Sequence, residues 1–128
     1  MWNEELTASL TEYGFKQSMN DYSLYIFSKN SIFIALLVYV DDIIITGNNI
    51  SEVEKVKHFL KTKFMIKDLG ELKYFLGIEV IKTKDGMCLS QRKYCLDLLN
   101  EFGMLGCKPI NTPLEINTVL ASEATEHD

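Results

Sequence analysis

The stretch Ile32-Phe33-Ile34-Ala35-Leu36-Leu37-Val38-Tyr39-Val40-Asp41-Asp42-Ile43-Ile44-Ile45-Thr46-Gly47 holds the chain's most apolar run, interrupted by two adjacent acids. Neighbouring side chains in a strand point to opposite faces, so a strand running straight through Asp41-Asp42 would bury at least one carboxylate. Burying it unpaired would cost several kcal/mol, ~2–7 even for a neutral polar group. A tight turn at Asp41-Asp42 avoids that cost. The stretch is therefore predicted to form a hairpin: Ile32 to Val40 as a buried strand, Ile43 to Thr46 as its return, both acids at an exposed tip. Two carboxylates placed this way can share a divalent cation. Mg²⁺ and Mn²⁺ prefer oxygen ligands, and Mg²⁺ is commonly held by one or two carboxylates together with substrate phosphates. The implied chemistry is metal-assisted phosphoryl or nucleotidyl transfer. A bare Asp-Asp between strands also describes a plain solvated turn. Only the strand–turn–strand frame and the preceding Tyr39-Val40 favour the metal site.

On either side of this hairpin the chain alternates between helical and extended patterns. Trp2, Leu6 and Leu10 recur every four residues and predict a helix over 1–13, stopped by Gly14. Tyr25 to Ser28 alternates as a strand, and Lys29-Asn30 is a turn. Gly47-Asn48-Asn49 breaks the return strand. Ser51-Glu52-Val53-Glu54 fits a capping box opening a helix to about Phe64, with Val53, Val56, Phe59 or Leu60, and Phe64 on its apolar stripe. Lys73 to Thr83 reads as a strand, Asp85-Gly86 as a hairpin turn, and Met87 to Leu89 as the return. Ser90 caps a helix from Gln91 to about Phe102 with stripe Tyr94, Leu98 and Phe102, and Gly103 fits the position past its end. From Cys107, through Pro109 and Pro113, the acidic end reads as an extended tail. The expected fold class is α+β: an antiparallel sheet with helices packed on one face.

With 128 residues, 47% of them hydrophobic, the chain can bury one domain-sized core and is not of disordered composition. Its longest apolar run is nine residues, Ile32 to Val40, short of the ~20 a membrane helix needs. No membrane association is expected. No basic-then-apolar secretory pattern opens the sequence. Cys88, Cys95 and Cys107 form no Cys-x-x-Cys pair and read as free thiols. An intracellular setting, cytoplasmic or nuclear, follows as the expectation. His58 and His127 are isolated; His58 reads as a solvated helix residue.

The net charge of −5 argues against a free-standing nucleic-acid binder. The charge is unevenly spread, however. Residues 51–93 carry ten Lys/Arg against six acids, and the lysines at 55, 57, 61, 63 and 67 cluster on or near one predicted helix. That island suits either a phosphate-facing surface or an ordinary solvated helix face.

Taken together, these motifs resemble a known family. Tyr39-Val40-Asp41-Asp42 resembles the metal-binding signature of reverse transcriptases. With its flanks, Leu37 to Gly47 looks like the copia-type retrotransposon polymerase. Lys73-Tyr74-Phe75-Leu76-Gly77-Ile78-Glu79-Val80 resembles the block whose hairpin contacts the primer terminus. Trp2-Asn3-Glu4, Gln91-Arg92-Lys93-Tyr94 and Cys107-Lys108-Pro109 are similar to that family too.

The resemblance covers the chain to about residue 114. It implies a partial, incomplete polymerase palm over residues 1–106 and an extended tail over 107–128. By the same resemblance Asp41 and Asp42 are catalytic metal ligands for Mg²⁺ or Mn²⁺, bound weakly by the isolated chain. Tyr39, Val40, Lys73, Tyr74, Phe75, Leu76 and Gly77 contact the primer, and the parent polymerase binds an RNA template and DNA primer. The family's upstream catalytic Asp finds no match here, and Asp21 reads as a loop or cap residue. The isolated chain is therefore expected to be inactive as an RNA-directed DNA polymerase. A missing strand would also leave an open sheet edge beside Trp2 and strand 32–40, with self-association as the expected result. Two other readings stay open: a domesticated non-catalytic module that binds protein or nucleic acid, and a pseudogene product.

Overall fold

The computed structural model describes residues 2–110. Pro113, His127 and most of the expected tail lie outside the described residues; residues 107–110 carry neither helix nor strand. The described residues are α+β, with three helices and two antiparallel sheets, and the chain divides into two compact units between Leu72 and Lys73. The sequence predicts one sheet; the structure has two, one in each unit.

The first unit opens with α1 (Trp2–Tyr13), followed by β1 (Lys16–Gln17), β2 (Leu24–Lys29), β3 (Ile32–Tyr39), β4 (Asp42–Gly47) and α2 (Ile50–Phe64). The strands form a meander in the order β1-β2-β3-β4. The α1 stripe works as predicted: Leu6 and Leu10 are buried, and Gly14 ends the helix with φ +118°. Alternation along β3 sends Ile34 and Leu36 into the core. Register places Tyr25 and Ile45 on either side of Leu36, and Phe27 opposite Ile34. Leu6 and Leu10 from α1 and Val56 and Leu60 from α2 close over this face, with Phe15 beside them. The helices of this unit thus cover one face of its sheet, as expected. The other face carries Ile26, Phe33, Ala35, Leu37 and Ile44 and contains no buried residue.

Three features of this unit correct the sequence-based expectation. The open edge does not belong to strand 32–40, because β3 is paired on both sides. Among the described residues the long unpaired edge is β4. The α2 cap is Asn49, not Ser51: its extended backbone (φ −134°, ψ 109°) lets the side chain accept from the Glu52 N–H, leaving Ser51 inside the first turn. The α2 lysines are also largely paired on the surface: Lys55 with Glu52, Lys57 with Glu54 and Asp68, and Lys63 with Glu12 at 4.0 Å. The bond to the Gly70 N–H and the Lys57 ammonium hold the Asp68 carboxyl below its usual range.

The second unit contains β5 (Tyr74–Phe75), β6 (Ile78–Thr83), β7 (Gly86–Ser90) and α3 (Arg92–Glu101), its sheet ordered β5-β6-β7. Lys73 to Thr83 is not one strand. It reverses at Leu76-Gly77, where both residues have positive φ (51° and 78°), the signature of a two-residue primed turn. Thr83 pairs with Gly86, so the next loop is Lys84-Asp85 rather than Asp85-Gly86. The cap of α3 is Gln91 rather than Ser90, and its side chain makes no cap bond; Ser90, one residue before it, accepts from the Arg92 N–H. The expected stripe of Tyr94, Leu98 and Phe102 is exposed, and no residue of α3 is buried.

Candidate metal site and primer-contact hairpins

The β3–β4 hairpin closes at the pair Tyr39 and Asp42. Its two loop residues are therefore Val40 and Asp41, one position earlier than the Asp41-Asp42 turn the sequence predicts. Asp42 begins β4 and Asp41 occupies the tip. Register is set by what meets beneath α2. Gly47 lies opposite Ile34 because a Cβ there would come within 2.8 Å of the Phe33 carbonyl oxygen and 2.9 Å of Val53 Cγ2. That pairing, with Ile45 opposite Leu36, leaves Val40 and Asp41 to make the turn. Val40 does so at φ +51°, a rare conformation for a β-branched residue. Asn48 fixes the far end of the hairpin: its Oδ1 accepts from the Phe33 N–H and its Nδ2 donates to the Ser31 carbonyl.

Both carboxylates are exposed, as expected, and so are Tyr39 (48%) and Val40 (70%). Among the described residues neither the Asp41 nor the Asp42 carboxylate makes a hydrogen bond or ion pair, so both are available to a cation. The donor chemistry suits Mg²⁺ or Mn²⁺, but only in part. No group of three or more His, Cys, Asp or Glu able to hold a metal occurs among the described residues. Asp21 does not join the pair; its Oδ1 accepts from the Ser23 N–H, and the Ser23 bonds hold its carboxyl below the usual range.

The residues from Lys73 to Gly77 form the β5–β6 hairpin of the second unit. The Lys73 carbonyl accepts from the Val80 N–H. Tyr74 (44% exposed) lies under Lys93 Nζ, 5.2 Å from its ring centroid, and Lys93 also pairs with Asp97 at 2.6 Å. Leu76 (54% exposed) projects from the turn. The apolar character of Tyr74 and Leu76 suggests core residues, but both are on the surface. Gly77 holds φ +78° with the Tyr94 ring 3.7 Å from where a Cβ would stand. The strain at Val40 and the Tyr74–Lys93 contact escape sequence reasoning. Both arise from register, and no residue-type pattern encodes them.

Residues 1–116 match the family model for reverse transcriptase (RNA-dependent DNA polymerase). The chain belongs to the reverse transcriptase family. Among its relatives are the Retrovirus-related Pol polyproteins from transposons RE1 and RE2 of Arabidopsis thaliana, each 42% identical over 113 residues, 88% of this chain and 8% of the relative. The corresponding polyprotein from transposon TNT 1-94 of Nicotiana tabacum is 41% identical over 90 residues, 69% of this chain and 7% of the relative. The copia-type resemblance is thus borne out, and the chain is a reverse transcriptase-like segment. It spans about 8% of the length of the first of these relatives. No solved structure matches it.

Proposed function

We propose that this chain is the metal-binding part of a copia-type reverse transcriptase palm, in which Asp41 and Asp42 hold divalent metal during template-directed addition of deoxynucleotides. The observation that carries this is the strained, exposed Val40-Asp41 turn, which presents two unpaired carboxylates in a chain of this family. A bound Mg²⁺ or Mn²⁺ would supply positive charge to the transferring phosphoryl group. Tyr39 and Val40, exposed beside the acids, form the floor under the primer end. Lys73, Tyr74, Phe75, Leu76 and Gly77 hold the primer strand, with the exposed Tyr74 ring and Leu76 as its apolar contacts. The α2 lysines play a smaller part in phosphate binding than their number suggests, because acids already pair most of them.

Assayed by itself, the 128-residue chain binds metal weakly and does not extend a primer. Two carboxylates without substrate phosphates leave most of the ion's shell as water. Catalysis also needs primer, nucleotide and metals held in line, a term worth ~7–11 kcal/mol, and each 1.36 kcal/mol is about a factor of ten in rate.

The test is Mn²⁺ titration of the labelled chain by NMR, run beside a Mg²⁺ primer-extension assay on monodisperse protein. The amides of Tyr39 to Ile43 are expected to broaden first, and Asp41→Asn with Asp42→Asn should abolish this. Tight binding that survives the double substitution would move the site elsewhere. Primer extension by the native chain, absent in the double variant, would make the segment a polymerase in its own right.

A further inference from the structure

The block Gln91-Arg92-Lys93-Tyr94 opens α3, and neither the metal site nor the primer hairpin accounts for it. Within the second unit these residues meet the β5–β6 hairpin at three points. The Glu79 carboxylate accepts from the Lys93 N–H at 3.3 Å. This N–H lies in the first turn of α3, where the helix offers no acceptor of its own and its dipole favours a carboxylate. The Lys93 ammonium lies over the Tyr74 ring, 5.2 Å from its centroid. Tyr94 stands beside the turn, its ring 3.7 Å from where a Cβ on Gly77 would be. Tyr74 and Glu79 are cross-strand partners, so one lysine holds both strands of the hairpin.

Lys93 is itself held in place. Its ammonium donates to Asp97 Oδ2 at 2.6 Å, one turn further along α3. Asp97, with smaller contributions from Tyr74 and Glu79, raises the ammonium above its usual range. A phosphate approaching this cation would also meet the Asp97 and Glu79 carboxylates. The Tyr74 ring, by contrast, is 44% exposed while one face lies under the cation. An aromatic ring offers a nucleotide a stacking surface. Fixing the ring before the primer arrives removes an ordering cost from binding.

We propose that Lys93 is a positioning residue for the primer contact at Tyr74: anchored on Asp97, its ammonium holds the ring in place and binds no phosphate itself. The role rests on the reading of the β5–β6 hairpin as a primer contact, and it supplies what orients that contact. A cation over a tyrosine face is attracted by the ring quadrupole, and at an exposed site the attraction corresponds to about a two- to fivefold change in an equilibrium. Removing the charge frees the ring but leaves the contact surface in the chain. Lys93 and Tyr74 therefore act as a unit, and their effects on primer binding overlap rather than add.

The experiment measures binding of the full 128-residue chain to a fluorescent DNA primer annealed to an RNA template. Anisotropy is read over a series of salt concentrations, with reductant present because Cys88, Cys95 and Cys107 are exposed. Lys93→Gln is expected to weaken binding about two- to fivefold, and Lys93→Arg, which keeps the cation, to bind as the native chain does. Tyr74→Leu should weaken binding at least as much, and adding Lys93→Gln to it should cost nothing further. The slope of log affinity against log salt should stay unchanged in Lys93→Gln; a lost phosphate contact would flatten it by ~0.7–0.9. In the free chain, NMR should show the Tyr74 ring resonances shifted by Lys93→Gln and unmoved by Lys84→Gln, a charge-matched change on the β6–β7 loop. Should Lys93→Gln unfold α3, Lys93→Met keeps the stem without the charge and takes its place. A native chain that does not bind the duplex, or Tyr74→Leu binding as tightly as native, would end the primer reading at Tyr74 and this role with it. Where Tyr74→Leu does weaken binding, an undiminished Lys93→Gln, additive losses, a flattened salt slope, a weak Lys93→Arg or unmoved ring resonances would each overturn the role of Lys93 alone.

Discussion

At Val40 the backbone turns through φ +51° with the side chain 70% exposed, so the residue gains little burial in return for its strain. A left-handed conformation costs an ordinary L-residue about 1–2 kcal/mol, and glycine escapes it. The structure keeps Val40 there because its neighbours are fixed: Val38 lies opposite Ile43, and Tyr39 opposite Asp42. Val40→Gly is therefore expected to stabilise the chain by about 1 kcal/mol, read as a higher midpoint in urea at unchanged slope. The same substitution should weaken Mn²⁺ broadening at Asp41, because a looser turn no longer aims that carboxylate. A midpoint that falls would show that the turn is relaxed and that Val40 contributes contacts instead. Asp41 and Asp42 were legible as an exposed acidic pair from their residue types alone. Their division between loop tip and strand start was not, because Asp suits both positions and the choice lay with the packing of Gly47 beneath Val53.

Element boundaries follow the same logic. Two candidate caps stand two residues apart at the start of α2, and both have oxygen side chains. Ser51 with Glu54 satisfies the capping-box spacing, yet Asn49 holds the extended backbone a cap requires and bonds the Glu52 N–H at 3.1 Å. Asn49→Ala should cost about 1 kcal/mol of stability and Ser51→Ala a few tenths at most; chemical denaturation of the two variants checks the order. The β5–β6 reversal at Leu76-Gly77 was hidden for a related reason. Leu is a poor turn residue by type, so Lys73 to Thr83 looks continuous. A glycine one position later supplies one positive φ, and pairing of Phe75 with Ile78 imposes the other on Leu76. Where glycine ends a helix, as at Gly14, the signal was local and the boundary was legible.

Across the whole molecule burial is unevenly shared. Among the described residues all eight buried hydrophobic residues lie between Leu6 and Leu60, and from Lys73 to Ile110 none is buried. Amide protection follows buried, cooperatively packed structure. Hydrogen exchange should therefore be slowest in β2, β3 and the middle of α2, and faster by orders of magnitude in β6, β7 and α3. Equal protection in β3 and β6 would contradict the uneven core. The Tyr94, Leu98 and Phe102 stripe shows why the sequence misleads here. Helical periodicity reports that a face is apolar, but not whether anything covers it.

By itself the sequence determined the elements that rest on local chemistry: α1 and its glycine stop, the hairpin around the acidic pair, the approximate span of α2, and the α+β class. It also carried the family, because three motifs in the right order and spacing are a property of the chain alone. Only the tertiary structure decided the register that strains Val40, the choice of Asn49 as cap, the division of the strands into two sheets, and the place of β4 at the end of its sheet among the described residues. Each of these depends on which side chains from distant segments compete for the same space. A chain's local preferences leave several registers nearly equal, and close packing against α1 and α2 selects among them.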